Sequence, residues 1–390
     1  MSESPPLSAT VSAPAEPPPV PSAPERKSRF QQLTSALDWL FGLAALIVLL
    51  AACSVIPVLN FLSLGYLLHV SGTIARTGRL RDGFVGVRKA SALGSIAAGI
   101  WIVVWPARLL SDFWRDAELI APGSASARAW HAGLILVIAI TLAHLVWACV
   151  RGGRLWHFLW PQPLRFLCWL RSPEKFGSLQ RVITEYVIGL RLPFYFWLGL
   201  RGFFGALAWL IVPVGILLAA TRLPVGGAAL LSLLGGFLLL LVAIHLPFLQ
   251  AHFAQSDRFR AMFELREVRR QFLRAPLAFW FALLITLLFA VPLYLLKIEL
   301  TPRELAWLPS LLFVIFIFPA RILTGWAMSR AQRHEQPRHW FPRWLARLGI
   351  LPIGLAYVIV VYATPYLSWN GAMSLLEQHA FLVPAPLMAL

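Results

Sequence analysis

The chain alternates between long apolar runs and short segments that carry most of its basic residues. An α-helix needs about 20 apolar residues, at about 1.5 Å per residue, to cross a hydrocarbon core of about 30 Å. A membrane β-barrel shows short segments of alternating polarity instead. The long runs therefore predict seven single transmembrane helices, at residues 92–111, 129–150, 194–220, 225–249, 276–297, 306–328 and 345–367.

The apolar run nearest the N-terminus is too long for one span. It covers residues 37–70, and as a single helix it would be about 51 Å long. Pro57 and Asn60 lie near its middle, where a helix is most easily interrupted. The run therefore predicts a helical hairpin with arms at 37–56 and 58–75. With this hairpin, the sequence predicts an all-α, polytopic transmembrane bundle of about nine spans.

The N-terminal segment has a different composition from the rest of the chain. Residues 1–28 are rich in Pro, Ala and Ser and predict a disordered tail, whereas residues 29–390 predict an integral membrane domain. The first apolar run contains "LLAAC", which resembles a lipoprotein cleavage site with Cys53 as the lipidated residue. Apolar sequence continues beyond it, where a mature lipoprotein has a polar tether. Cys53 is therefore interpreted as a packing residue.

Composition agrees with a membrane protein. Charged residues make up 13% of the chain, against about 25% in soluble domains. The formal net charge is +17, and the basic residues cluster between apolar runs. This placement favours anionic membrane lipids over nucleic acid as the partner. The three Cys form no C-x-x-C pair, so the sequence predicts no disulfide framework, no metal site and no cofactor.

The distribution of Lys and Arg predicts the orientation of the bundle. With the N-terminus in the cytoplasm, the segments placed inside hold 26 of the 34 basic residues, and the segments placed outside hold five. If the first run crossed only once, the split would be 23 against eight, so the bias survives. By the positive-inside rule the C-terminus is expected on the side opposite the cytoplasm, which is the periplasm for a protein of a bacterial inner membrane.

Two of the basic segments share a sequence pattern. "ARTGRLRDGF" at 75–84 and "AQSDRFRAMF" at 254–263 each follow an apolar run and precede another. We predict that each forms an elbow on the inner membrane surface, where Arg79, Arg81, Arg258 and Arg260 meet lipid headgroups. The second elbow is predicted to continue as one helix over 257–274, with the ion pairs Arg260–Glu264 and Glu267–Arg270.

The segment "IPVLNFLSLGYLLHV" resembles an uncharacterised family of bacterial multi-pass membrane proteins. The matching positions are Ile56, Pro57, Gly65 and Tyr66, and the elbow at 79–84 also fits. The family tends to have an acidic, Trp-containing turn after this elbow, whereas this chain has "RLRDGF". The resemblance covers residues 37–110 and, more loosely, 245–330. It implies a multi-pass membrane fold and no particular reaction.

Arg108, Arg201 and Arg321 lie inside predicted spans, where an arginine costs about 2.5–3.5 kcal/mol on insertion scales. Arg108 is near the outer end of its span and Arg201 is about eight residues into its own, and both can snorkel to the interface. Arg321 is deeper and follows Pro319, which leaves a backbone carbonyl free. Each of the three is either a snorkelling residue or a cation that binds an anionic ligand or lipid.

Candidate catalytic residues are scarce. The sequence has no H-E-x-x-H, no G-x-S-x-G and no phosphate-binding glycine loop. His144 and His245 lie in predicted spans and are interpreted as hydrogen-bonding residues of the packing. The sequence therefore favours a non-enzymatic protein that is lipid-associated or scaffold-like. A transporter or channel for an anionic small molecule or lipid is the first alternative, and a membrane-embedded lipid-modifying enzyme is the second.

Overall fold

The computed structural model describes residues 29–170, 181, 184–295, 307–368, 371–376 and 381–382. Every regular element in these residues is a helix, which confirms the all-α prediction. The predicted disordered tail, residues 1–28, lies outside the described residues.

Twelve α-helices are numbered here in chain order. They are α1 (Arg29–Val55), α2 (Pro57–Thr77), α3 (Val87–Ile120), α4 (Ala125–Val150), α5 (Leu155–Leu159), α6 (Pro163–Leu170), α7 (Leu192–Ala220), α8 (Val225–Ser256), α9 (Leu265–Arg274), α10 (Pro276–Leu295), α11 (Trp307–Gln332) and α12 (Trp340–Leu367). Short 3-10 helices cover Leu80–Gly83, Phe259–Phe263 and Gly371–Leu376.

The first apolar run forms the predicted hairpin. The chain breaks at Ile56, and Pro57 takes the first position of α2, where its missing N–H costs no hydrogen bond. The hydroxyl of Ser63 donates to the Leu50 carbonyl oxygen at 2.8 Å, which brings the second arm back along the first. The Trp39 and Phe84 rings lie 5.2 Å apart at the other end of the hairpin.

The described residues contain eight helices that are long and apolar enough to cross a membrane. The ninth predicted span is α10, which meets α9 at a bend of 113°. The helices extend beyond several of the predicted ranges. α3 has 34 residues instead of the 20 predicted, a length of about 51 Å, because the helix continues into the polar sequence on both sides of the apolar run.

α2 lies at the centre of the bundle, and glycines let three helices approach it closely. A Cβ atom on Gly65 would overlap the backbone of Tyr195 in α7, one on Gly72 would overlap Ala254 in α8, and one on Gly325 of α11 would overlap the Ser71 carbonyl oxygen. Small residues are a common means of bringing helix backbones together in membranes, where no hydrophobic force drives helix association.

Candidate functional site

The basic segments that follow α2, α8 and α11 meet at one end of the bundle. Arg76 donates to the carbonyl oxygens of Ala254 and Gln255, both at 3.0 Å, and Arg333 donates to the Gly78 carbonyl oxygen at 2.8 Å. These contacts join segments that the charge pattern had placed on one side of the membrane. We call this region, residues 76–89, 254–274 and 330–347, the basic end.

The two predicted elbows share one backbone path. Each helix ends on a left-handed residue, Gly78 with φ 70° or Asp257 with φ 54°. An extended residue follows, Arg79 with φ −110° and ψ 120° or Arg258 with φ −112° and ψ 121°. Each path then enters a 3-10 helix, so the shared sequence pattern is a repeated structural unit. All four of the predicted elbow arginines are exposed: Arg79, Arg81, Arg258 and Arg260.

The second elbow departs from its prediction in one respect. Residues 257–274 were predicted as one helix, but the structure breaks the segment at Glu264, whose φ of −82° and ψ of 58° are not helical. A 3-10 helix precedes the break and α9 follows it. The prediction was wrong because the apolar residues before Glu264 lie in the 3-10 helix and those after it lie in α9.

The break at Glu264 changes one of the two predicted ion pairs of this elbow. Glu264 bonds His252 Nε2 at 2.9 Å instead of Arg260, so the predicted Arg260–Glu264 pair was wrong. The hydrogen bond from His252, with the positive charges of Arg258 and Arg260, lowers the pKa of Glu264 below its ordinary value. The predicted Glu267–Arg270 pair is confirmed.

Several polar residues near the basic end lie at similar distances along their helices from the opposite helix ends. His245 is 20 residues from the start of α8, and Arg347 is 20 residues from the end of α12. At about 1.5 Å per residue each distance is about 30 Å, one hydrocarbon thickness. Arg201 lies at a similar distance from the end of α7. If the opposite helix ends lie at one boundary of a membrane core, these side chains lie near the other boundary.

Two grooves open at this level, one on each side of α8. The first groove has a volume of about 460 Å³ and lies among α8, α9, α10 and α12. The second groove has a volume of about 400 Å³ and lies among α7, α8 and α9. Both are lined mainly by apolar side chains, and both include His245 and Arg269, while Arg347 lines the first groove alone.

The three arginines predicted inside spans do not meet in one site. Arg108 is exposed on α3. Arg201 donates to the carboxylate of Asp257 at 2.5 Å and thereby ties α7 to the second elbow. Arg321 is buried on α11, with 4% of its surface exposed. A binding role for these arginines stays a prediction, and a single cavity shared by all three is not formed by the described residues.

Arg321 belongs to a buried polar chain. Its Nη1 donates to Gln250 Oε1 at 2.7 Å, and Gln250 Nε2 donates to the Phe381 carbonyl oxygen at 2.7 Å. The void beside Arg321 measures about 10 Å³, close to the least space that holds one water molecule. The chain of hydrogen bonds therefore joins α11, α8 and the C-terminal turn across the core.

The span histidines have the structural role that the sequence indicated. His144 Nε2 donates to the Phe158 carbonyl oxygen at 2.8 Å, and His245 Nδ1 donates to the Leu241 carbonyl oxygen at 2.7 Å. His245 also lines both grooves, a position that sequence reasoning missed. In the part of the chain that the structure describes, no three His, Cys, Asp or Glu side chains are grouped to hold a metal ion.

Comparisons of the chain with protein-family models, with curated proteins and with solved structures found no match. The family resemblance therefore stays a prediction that depends on the residues themselves. Two of those residues have clear structural roles: Gly65 permits the contact with α7, and the Tyr66 hydroxyl donates to the Val85 carbonyl oxygen beyond the first elbow at 2.9 Å.

Proposed function

We propose that this chain is a non-enzymatic, multi-pass protein of the bacterial inner membrane whose basic end binds anionic lipid headgroups. In this proposal the N-terminus and the basic end are cytoplasmic, and the C-terminus is periplasmic. One observation carries the proposal: the exposed arginines of both elbows, α9 and the segment before α12 converge at one end of an apolar bundle.

The physical basis is electrostatic attraction at the inner membrane surface. Each Lys or Arg near a membrane that contains anionic lipids gains about 1 kcal/mol, and the attraction weakens with salt. α9 meets α10 at 113°, so if α10 crosses the membrane, α9 lies roughly along its surface. That position suits an amphipathic helix with basic and apolar faces.

Hydrogen–deuterium exchange of the full-length protein in nanodiscs tests the proposal. We expect residues 257–274 to exchange more slowly in phosphatidylglycerol than in phosphatidylcholine at low salt, because anionic headgroups hold the elbow. The double change Arg258→Glu and Arg260→Glu should remove this difference, and high salt should reduce it in the wild type.

The matched control reverses the charge of two exposed arginines that lie away from the basic end, with the changes Arg115→Glu and Arg128→Glu. Arg115 is near the C-terminal end of α3, and Arg128 is in the first turn of α4. This variant should keep the difference between the two lipids at residues 257–274. Equal exchange of the wild-type elbow in both lipids would contradict the proposal.

A further inference from the structure

We infer that the two grooves beside α8 form one seat for a single anionic diacyl phospholipid, with one acyl chain in each groove and the phosphate on Arg269. This inference rests on the proposed function, which it narrows from a basic surface to a defined site. The volumes, about 460 and 400 Å³, lie in the range of about 300–1,000 Å³ that is usual for ligand sites.

Arg269 has the position that a phosphate ligand requires. It lines both grooves. A phosphate bound to its guanidinium would therefore allow one acyl chain of the lipid to enter each groove. It is exposed, and no ion pair joins it to an acidic group in the described part of the chain. Arg347 lines the first groove and supplies a second positive charge. A planar guanidinium can grip two phosphate oxygens at once.

His245 gives the seat a further polar contact. Its Nδ1 donates to the Leu241 carbonyl oxygen, so the neutral ring carries its lone pair on Nε2. That nitrogen can accept a hydrogen bond from a headgroup hydroxyl, such as those of phosphatidylglycerol. The seat therefore combines two cations with one acceptor, which matches an anionic headgroup that also carries hydroxyls.

The walls and the depth of the grooves favour a lipid over a soluble anion. Phe248, Phe272 and Ile350 line the first groove, and Trp209, Val212 and Leu241 line the second. Such walls pack against acyl chains by van der Waals contact but offer a free phosphate ion no hydrogen bond. His245 and Arg347 lie one hydrocarbon thickness from the far ends of their helices, the level where a lipid's phosphate meets its chains.

Native mass spectrometry of the full-length protein, released from detergent with phosphatidylglycerol or phosphatidylcholine, tests the seat. We expect one tightly retained phosphatidylglycerol per chain and weaker retention of phosphatidylcholine. Arg269→Gln should lower that retention about fivefold, as the loss of one surface cation predicts. The control Arg266→Gln removes the same charge from the same helix, at an exposed residue outside both grooves, and should retain the lipid.

A second pair of variants tests the acyl grooves without changing charge. Ala208 is exposed and lines the second groove, so Ala208→Phe should fill it and lower retention. Ala219 is exposed on the same helix outside both grooves, and Ala219→Phe should be silent. Thermal unfolding midpoints equal to the wild-type value will show that all four variants fold.

Three results would overturn the seat. Equal losses in Arg269→Gln and Arg266→Gln would show that only the general charge of α9 matters. Equal retention in Ala208→Phe and wild type would remove the acyl groove. Displacement of the lipid by glycerol 3-phosphate at the same concentration as phosphatidylglycerol would indicate a site for a soluble anion. The exchange experiment on residues 257–274 reports on the proposed function independently of each of these.

Discussion

Gly65 illustrates how one residue sets the distance between two helices. Its Cα lies against the backbone of Tyr195, and Gly199 lies in turn against the Phe61 carbonyl oxygen. The two glycines leave no room for a side chain at the crossing of α2 and α7. Tyr66, the next residue, then ties α2 to the segment after the first elbow through its hydroxyl. The distance between α2 and α7 at their crossing therefore depends on glycine at positions 65 and 199.

We expect Gly65→Ala to destabilise the protein by about 1–3 kcal/mol, the usual range for overpacking a tight site. The added methyl group overlaps backbone atoms, which have no alternative rotamer. The measurement is the unfolding midpoint in mixed dodecylmaltoside and sodium dodecyl sulfate.

Gly215→Ala is the matched control for this change. Gly215 lies in α7 and is exposed, and a Cβ atom at this position would meet nothing within 4 Å. That variant should be neutral or slightly stabilising, because alanine favours helix over glycine by about 1 kcal/mol. A Gly65→Ala midpoint equal to that of Gly215→Ala would show that the α2–α7 crossing relaxes freely.

The elbows show that one backbone path can be made from different side chains. At the left-handed position the first elbow uses Gly78 and the second uses Asp257, whose carboxylate accepts from Arg201. The second elbow is held further by Trp209 Nε1, which donates to the Met262 carbonyl oxygen at 2.9 Å. The first elbow is held by Arg333 on Gly78. The two elbows therefore share a backbone path, while the side-chain contacts that hold it differ between them.

This difference predicts that substitution of the left-handed residue costs little stability in the second elbow and more in the first. Asp257→Gly should change stability by less than about 1 kcal/mol, because glycine adopts the left-handed conformation freely and the Asp257 carboxylate, 55% exposed, makes an ion pair with solvent at one side. Gly78→Val should cost more than about 2 kcal/mol, since the left-handed conformation alone costs L residues about 1–2 kcal/mol and a Cβ at Gly78 also meets Arg333.

Thermal unfolding of both variants in the same detergent provides the comparison. Equal costs at the two positions would show that the shared path is imposed by the rest of the bundle, and that the identity of its left-handed residue does not matter.

At the scale of the whole molecule, the sequence predicted the spans well, because hydrophobic length alone decides which segments can cross a membrane. It also located the hairpin at Pro57 and the repeat of the elbows. It did not predict the break at Glu264 or the partner of Glu264, since both depend on how α8 approaches the elbow. The grooves were beyond reach for a similar reason: His245, Arg269 and Arg347 lie on three separate helices, and only packing brings them together.

The orientation of the bundle is testable with reporter fusions. Reporters that are active only in the periplasm should give signal after residues 118, 223, 300 and 385, because the basic end is expected to stay in the cytoplasm. Residues 300 and 385 lie outside the described residues, so these two sites rest on the sequence alone. A silent fusion at 385 together with an active one at 340 would contradict the proposed orientation.

The hydrogen bond between Gln250 and Phe381 has a consequence for the time at which the protein completes its core. Its two partners are 131 residues apart in the sequence, one on α8 and one in the turn at residues 381–382. Because synthesis runs from the N-terminus to the C-terminus, the ribosome makes α8 before it makes this acceptor. The amide of Gln250, which also accepts from Arg321, therefore lacks this partner in the nascent protein until a further 131 residues have been made. This link across the core therefore forms only after α9 to α12, which lie between its two partners in the sequence, have been made.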